Sequence, residues 1–140
     1  MAVNVVGIWE RGWTTPMQEM DLWEMVTRDF GVDELRMSPV SGIFNKHVVE
    51  KESYEEVLAD ARAAGSKLVF ISETGTTNLA DYTHPADATY VLGKIGFDAN
   101  TAYLKEGDDS VVIPTGANLG LLWPHQCLAI VLYDRLMKAS

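Results

Sequence analysis

The 140-residue chain predicts a single α/β domain, residues 1–140, built on a mainly parallel sheet flanked by helices. Two observations lead to that fold class. Short apolar, β-branched runs alternate with stretches of helical periodicity, the pattern of strands joined by crossovers rather than by tight hairpins. One run, Lys67-Leu68-Val69-Phe70-Ile71, is continuously apolar after its first residue and suits a strand covered on both faces.

Residues 3–9 form the first expected strand, apolar and mostly β-branched, with Gly7 thinning its middle. A loop carrying Glu10, Arg11, Gly12 and Trp13 follows. Thr15-Pro16-Met17-Gln18 then marks a helix start. Thr15 is the cap, Pro16 takes the first helical position, where an N–H would be unpaired anyway, and Gln18 closes a capping box. The helix runs to about Phe30 with Leu22, Met25, Val26 and Phe30 on its core stripe, and Gly31 ends it. Residues 33–37 are a short second strand. Residues 45–51 carry too little periodicity to assign. Ser53-Tyr54-Glu55-Glu56 is a second capping box, opening a helix that turns Val57, Leu58, Ala61 and Ala64 inward and stops at Gly65. Residues 67–71 are the third strand, followed by a polar loop, 72–77, and a weakly helical segment, 78–82. Residues 89–92 are a fourth strand stopped by Gly93, residues 94–109 contain one short helix, and residues 110–113 form the next strand. A glycine-containing loop then leads to Trp123-Pro124, where the last helix, residues 125–138, begins.

Composition narrows the function. There are 11 Lys+Arg against 20 Asp+Glu, a net charge of −9, and no basic cluster. Nucleic-acid binding normally rests on a basic footprint, so this balance weighs against tight, unaided RNA binding, although it leaves room for a local positive groove. No apolar run approaches the ~18–20 residues of a membrane span, and the N-terminus lacks a basic region followed by an apolar one. Cys127 is the single cysteine, and His47, His84 and His125 are scattered without ligand spacing, so neither a disulfide nor a metal site is expected. Together these features point to the cytoplasm.

In open parallel sheets, ligands bind beyond the carboxyl ends of the strands. Three such ends carry small or polar loops here: 72–77, 93–96 and 115–122. The last of them joins a strand to a helix N-terminus and so offers free backbone N–H groups to a ligand.

With this layout in view, the chain resembles the α/β-knot (SPOUT) methyltransferases, and within them the SpoU/TrmH-like group that methylates ribose 2′-hydroxyls on RNA. The opening Asn4-Val5-Val6-Gly7-Ile8-Trp9-Glu10 and the proline-led helix ending in Phe30-Gly31-Val32-Asp33-Glu34-Leu35 match the layout of the first motif region. The run from Pro85 to Gly93 resembles the second. Val111-Val112-Ile113-Pro114 with Leu121-Leu122 and Ala129-Ile130-Val131-Leu132-Tyr133-Asp134 resembles the third. The resemblance implies a C-terminal deep trefoil knot, an exception to the rule against threading. It also implies an S-adenosylmethionine pocket lined by Leu92, Gly93, Ile113 and Leu122 with the Ser72–Glu73 turn nearby, a homodimer, and an RNA acceptor such as tRNA or rRNA. Those apolar positions equally suit plain core packing, and Gly93 a strand stop. For a dimer, the first and last helices would supply the interface, consistent with Met17, Met20, Trp23 and Met137 reading as exposed.

The catalytic positions depart from the family. Its first-motif asparagine and arginine fall on Glu19 and Met25, and its third-motif Ser-Leu-Asn-Leu-Ser falls on Leu121-Leu122-Trp123-Pro124-His125. The usual glutamate after Gly93 is replaced by Lys94-Ile95-Gly96. Three replacements are candidates for catalysis. His125, at a helix N-terminus, carries an imidazole, a group suited to a general base, or simply packs. Arg11 suits an anion, or lies solvated in its loop. Glu19 suits a proton or a cation, although a surface carboxylate is the ordinary reading. Trp13 and Trp123 are candidates to stack on a base. Two rival functions follow: a binding module that kept the fold and the cofactor pocket, and a methyltransferase acting on a non-RNA acceptor.

Overall fold

The computed structural model describes residues 1–9, 15–43, 45–51, 53–93, 102–117 and 122–139. The elements in order are β1 (Val3–Ile8), α1 (Pro16–Asp29), β2 (Glu34–Ser38), β3 (Val48–Glu50), α2 (Tyr54–Ala63), β4 (Lys67–Ile71), β5 (Thr77–Asn78), a single 3-10 turn (Leu79–Asp81), β6 (Ala88–Leu92), β7 (Asp109–Val112) and α3 (Pro124–Ala139). The strands form one sheet in the order β3-β2-β1-β6-β4-β7-β5, and every pairing is parallel. The fold class is therefore as expected: a parallel sheet with helices on both faces.

Strand residues alternate between two apolar cores, as a period of two requires. On one face Val5, Leu35, Met37, Val69, Tyr90, Leu92 and Val111 pack with Met20 and Trp23 of α1 and with Leu128, Val131 and Leu132 of α3. On the other, Val6, Leu68, Phe70 and Val91 meet Val57, Leu58 and Ala61 of α2. Each fully buried large side chain contributes roughly 1.5–3 kcal/mol by burial.

Several local expectations hold. The bounds of β4 are those expected. Ser53 Oγ accepts the Glu56 N–H, capping α2, and Pro16 and Pro124 open their helices. Gly31 and Gly65 end α1 and α2 in the left-handed region, at φ 68° and 85°. β1, β2, β6 and β7 are each displaced by about one residue from expectation, and residues 48–50 of the unassigned stretch are a strand. The helix expected within 94–109 falls largely outside the described residues.

The phase of α1 differs from expectation. Leu22 and Met25 are exposed, at 39% and 61%, whereas Met20 and Trp23 are fully buried, and Glu19 and Thr27 are buried with them. Val26 and Phe30 pack only at the margin of the core. The helix is turned so that the Trp23 indole fits over Gly7 of β1. A polar residue in the buried stripe hid this phase: Thr27 settles its hydroxyl by donating back into the helix, toward the carbonyls of Trp23 and Glu24 at 3.0 Å. Thr15 makes no side-chain capping bond, so the expected box with Gln18 does not form. Ala64 is exposed just past α2. The loop expected at 72–77 also hides β5, whose two residues pair with β7.

The distal half of α3 is fastened by a polar cluster. His84 pairs through Nδ1 with the Tyr90 hydroxyl and through Nε2 with Asp134 Oδ2, both at 2.7 Å. Arg135 donates to the carbonyls of Pro85 (2.6 Å) and Ala86 (3.0 Å) and to Tyr90 (3.1 Å). Lys138 donates to the carbonyls of Leu79 (2.6 Å) and Tyr82 (2.8 Å) and pairs with Asp134 at 2.8 Å. With its far end anchored, α3 holds its N-terminus at a fixed place above the sheet.

Candidate functional site at the carboxyl edge of the sheet

Because all strands run one way, their carboxyl ends share one edge. Phe70 lies opposite Val91, and Ile71 opposite Val111, so β4, β6 and β7 finish side by side. The residues that leave the sheet there are Ser72, Gly93 and Ile113. Ser72 and Gly93 are buried, and Ile113 is half-buried against the core. The Ser72 N–H donates to the Val111 carbonyl at 3.0 Å, tying the turn to β7. The Thr74 N–H donates to Ser72 Oγ at 3.1 Å, and the Gly75 N–H to the Ser72 carbonyl at 3.2 Å, which fixes the turn. Gly75 is required: a Cβ there would sit 2.4 Å from the Val111 carbonyl carbon.

Both α1 and α3 directly follow strands, so their N-termini begin at this same edge. Glu19 lies in the first turn of α1, and His125 is the second residue of α3. The fold brings them together across 106 residues: His125 Nδ1 lies 3.0 Å from Glu19 Oε1. Their side chains are 13% and 2% exposed. The Trp123 ring meets the His125 ring edge-on, with centroids 6.0 Å apart. Glu19 is therefore not a surface carboxylate, because the phase of α1 turns it inward.

The remaining sequence-derived candidates fall as follows. Leu92 is fully within the core, Glu73 is exposed, and Leu122 and Trp123 are half-buried just before α3. Cys127, one turn into α3, is half-buried, and burial together with the Glu73 carboxylate pushes its thiol up to about 11. Ile71, Ile113 and Cys127 pack against the same apolar core, which brings the ends of β4 and β7 toward the start of α3. Met25, at the position of the family's arginine, is exposed on α1. Arg11, Glu10, Trp13, Lys94, Ile95, Gly96 and Leu121 lie outside the described residues. Among the described residues no group of three or more His, Cys, Asp or Glu is placed to hold a metal, and no helix is long and apolar enough to cross a membrane.

The sequence singled out Glu19 and His125 separately but missed their pairing. The available signal was topological: both stand in the first turn of helices that follow strands of one parallel sheet.

The class of fold is that of the SpoU/TrmH RNA methyltransferases, so the architecture is SPOUT-like. Among particular structures, the SpoU methyltransferase AviRb from Streptomyces viridochromogenes in complex with AdoMet superposes with a TM-score of 0.77 at 16% identity, over 99% of this chain and 58% of that one. A TrmH/SpoU tRNA modifying enzyme from A. aeolicus gives 0.78 at 12% identity, over 97% of this chain and 74% of that one. A structure described for 2-OH methylation of C/U34 on tRNA gives 0.76 at 11% identity, over 99% of this chain and 91% of that one. The chain spans about three fifths of the length of several such proteins, 57% to 60%. No protein-family profile and no curated protein matches it.

Proposed function

We propose that the chain is an S-adenosylmethionine-dependent methyltransferase acting on RNA, at ribose 2′-hydroxyls. One observation carries the reading: β4, β6 and β7 end side by side next to the N-terminus of α3, in a fold shared with a SpoU enzyme whose structure contains AdoMet. The residues at that edge suit the cofactor. Ser72, Gly93, Ile113 and Leu122 offer small, apolar and backbone groups to a nucleoside and sulfonium chain, with the buried Leu92 backing Gly93 and the exposed Glu73 carboxylate at the rim. When bound, the cofactor supplies an electrophilic methyl group on sulfonium sulfur. The chain's own task is to orient the acceptor and take its proton, so proximity and orientation supply most of the rate. His125, Glu19 and Arg11 are the residues we assign to that task.

On this reading the C-terminal part of the chain folds as a trefoil knot that holds the cofactor. The protein would act in the cytoplasm as a homodimer, joined through α1 and α3. Met17 and Met25 of α1 and Ile130, Tyr133, Leu136 and Met137 of α3 are exposed apolar residues suited to that contact.

A second reading, a binding module that retains the pocket, is favoured by Met25 standing exposed where the family has its arginine and by the charge of −9. A methyltransferase with a non-RNA acceptor is compatible with the same charge. Calorimetric titration with S-adenosylmethionine is expected to show saturable binding, and no heat at millimolar ligand would sink all three readings. Radiolabelled methyl transfer to RNA, protein and small-molecule pools then separates RNA methyltransferase, other methyltransferase and module.

A further inference from the structure

Glu19 is a carboxylate buried to 2% exposure, and among the described residues its hydrogen-bond partner is His125 Nδ1. Burying such a pair is unfavourable unless its geometry is good, and an apolar pair would serve packing as well. The pair nevertheless stands at the carboxyl edge of the sheet, where the N-termini of α1 and α3 meet, beside the strand ends that form the proposed pocket. A carboxylate only accepts hydrogen bonds, so a neutral imidazole facing it must carry its proton on Nδ1, which leaves a lone pair on Nε2. No partner for Nε2 is present among the described residues, and the side chain keeps 13% exposure.

We infer that Glu19 is a positioning residue that holds His125 in the Nδ1–H form, so that Nε2 takes the proton of the acceptor hydroxyl. The inference rests on the methyltransferase reading and replaces the family's absent asparagine and arginine with a two-residue device. In the step, the acceptor O–H bond breaks toward Nε2 and the oxygen forms a bond to the methyl carbon, whose bonding pair to sulfur stays with sulfur. The imidazolium that results faces the Glu19 carboxylate at 3.0 Å, which offsets the new charge in a poorly solvated place. The proton then leaves to water, which the 13% exposure of the His125 side chain admits.

The test combines a spectroscopic and a kinetic reading. Nitrogen-15 NMR of the wild-type protein is expected to show neutral His125 protonated at Nδ1; protonation at Nε2 overturns the inference without reference to activity. Glu19→Gln offers Nδ1 an amide donor and should shift the ring toward the Nε2–H form. Its kcat for transfer from tritiated S-adenosylmethionine should fall on the order of 10²-fold or more, with KM for the acceptor and cofactor affinity unchanged. His125→Gln, at a less buried position, should lose kcat to the same extent and guards against a fold defect in the Glu19 variant. Wild-type transfer with kcat retained in both variants overturns the inference alone. No transfer by the wild type to any pool removes the methyltransferase reading and this inference together.

Discussion

A methyl group at Gly7 would lie 2.6 Å from Met37 Sδ and 2.9 Å from Trp23 Cη2. Gly7 is thus the position that lets α1 lie close to the sheet, and its φ plays no part. The Trp23 indole N–H is buried with no hydrogen-bond partner among the described residues, so this contact is sustained by packing alone. Gly7→Ala forces Met37 and Trp23 to shift and is expected to destabilise the protein by about 1–3 kcal/mol in urea unfolding. An unchanged midpoint would show that the Met37 thioether moves aside freely. Because Glu19 lies one turn before Trp23, the same variant should also loosen the pairing with His125.

At the scale of the element, α3 is an apolar helix whose distal half is tied down by polar groups. The balance of that cluster makes it sensitive to acid. Burial holds the His84 imidazole below its usual value, against the opposing pull of Asp134. Burial works to raise the Asp134 carboxyl, but hydrogen bonds from Lys138 and His84 outweigh it and leave it lowered. The unfolded chain therefore protonates His84 first as pH falls through about 6.5. Its contribution is full above that value and declines as pH drops toward the lower folded value. Asp134 acts in the same direction at lower pH, contributing above the ordinary carboxylate value of about 3.9 and losing that contribution as pH falls through its depressed one. Unfolding free energy measured in urea should thus fall on acidification below about pH 6.5, and His84→Gln should flatten the upper part of that slope. An equal slope in the variant would place the acid sensitivity elsewhere.

The whole molecule is acidic, with apolar side chains left exposed on α1 and α3. A charge of −9 would favour a dispersed monomer unless apolar contact outweighs repulsion. The proposed dimer is expected to sediment at twice the 15.5 kDa chain mass. Replacing Tyr133 and Met137 together with glutamate, on residues 55% and 53% exposed, should give a folded monomer. Sedimentation of the wild type as a monomer at micromolar concentration would remove the dimer from the reading. Acidic charge also bears on the proposed acceptor: an RNA substrate would have to be held by cations local to the site, and Arg11 and Lys94, which follow β1 and β6 in the sequence, are the chain's candidates for that task.

The sequence by itself determined the alternation of strands and helices, the bounds of β4, the Ser53 cap and the proline starts of α1 and α3. Each of these depends on neighbours within a few residues. It also determined which strand ends carry small and polar loops. Only the tertiary structure decided the phase of α1, because Trp23 is placed by the space above Gly7, a position in another element. Only it joined Glu19 to His125 and His84 to Asp134, pairs 106 and 50 residues apart. Such contacts depend on the order in which strands enter the sheet, with β6 between β1 and β4, and no local periodicity encodes that order.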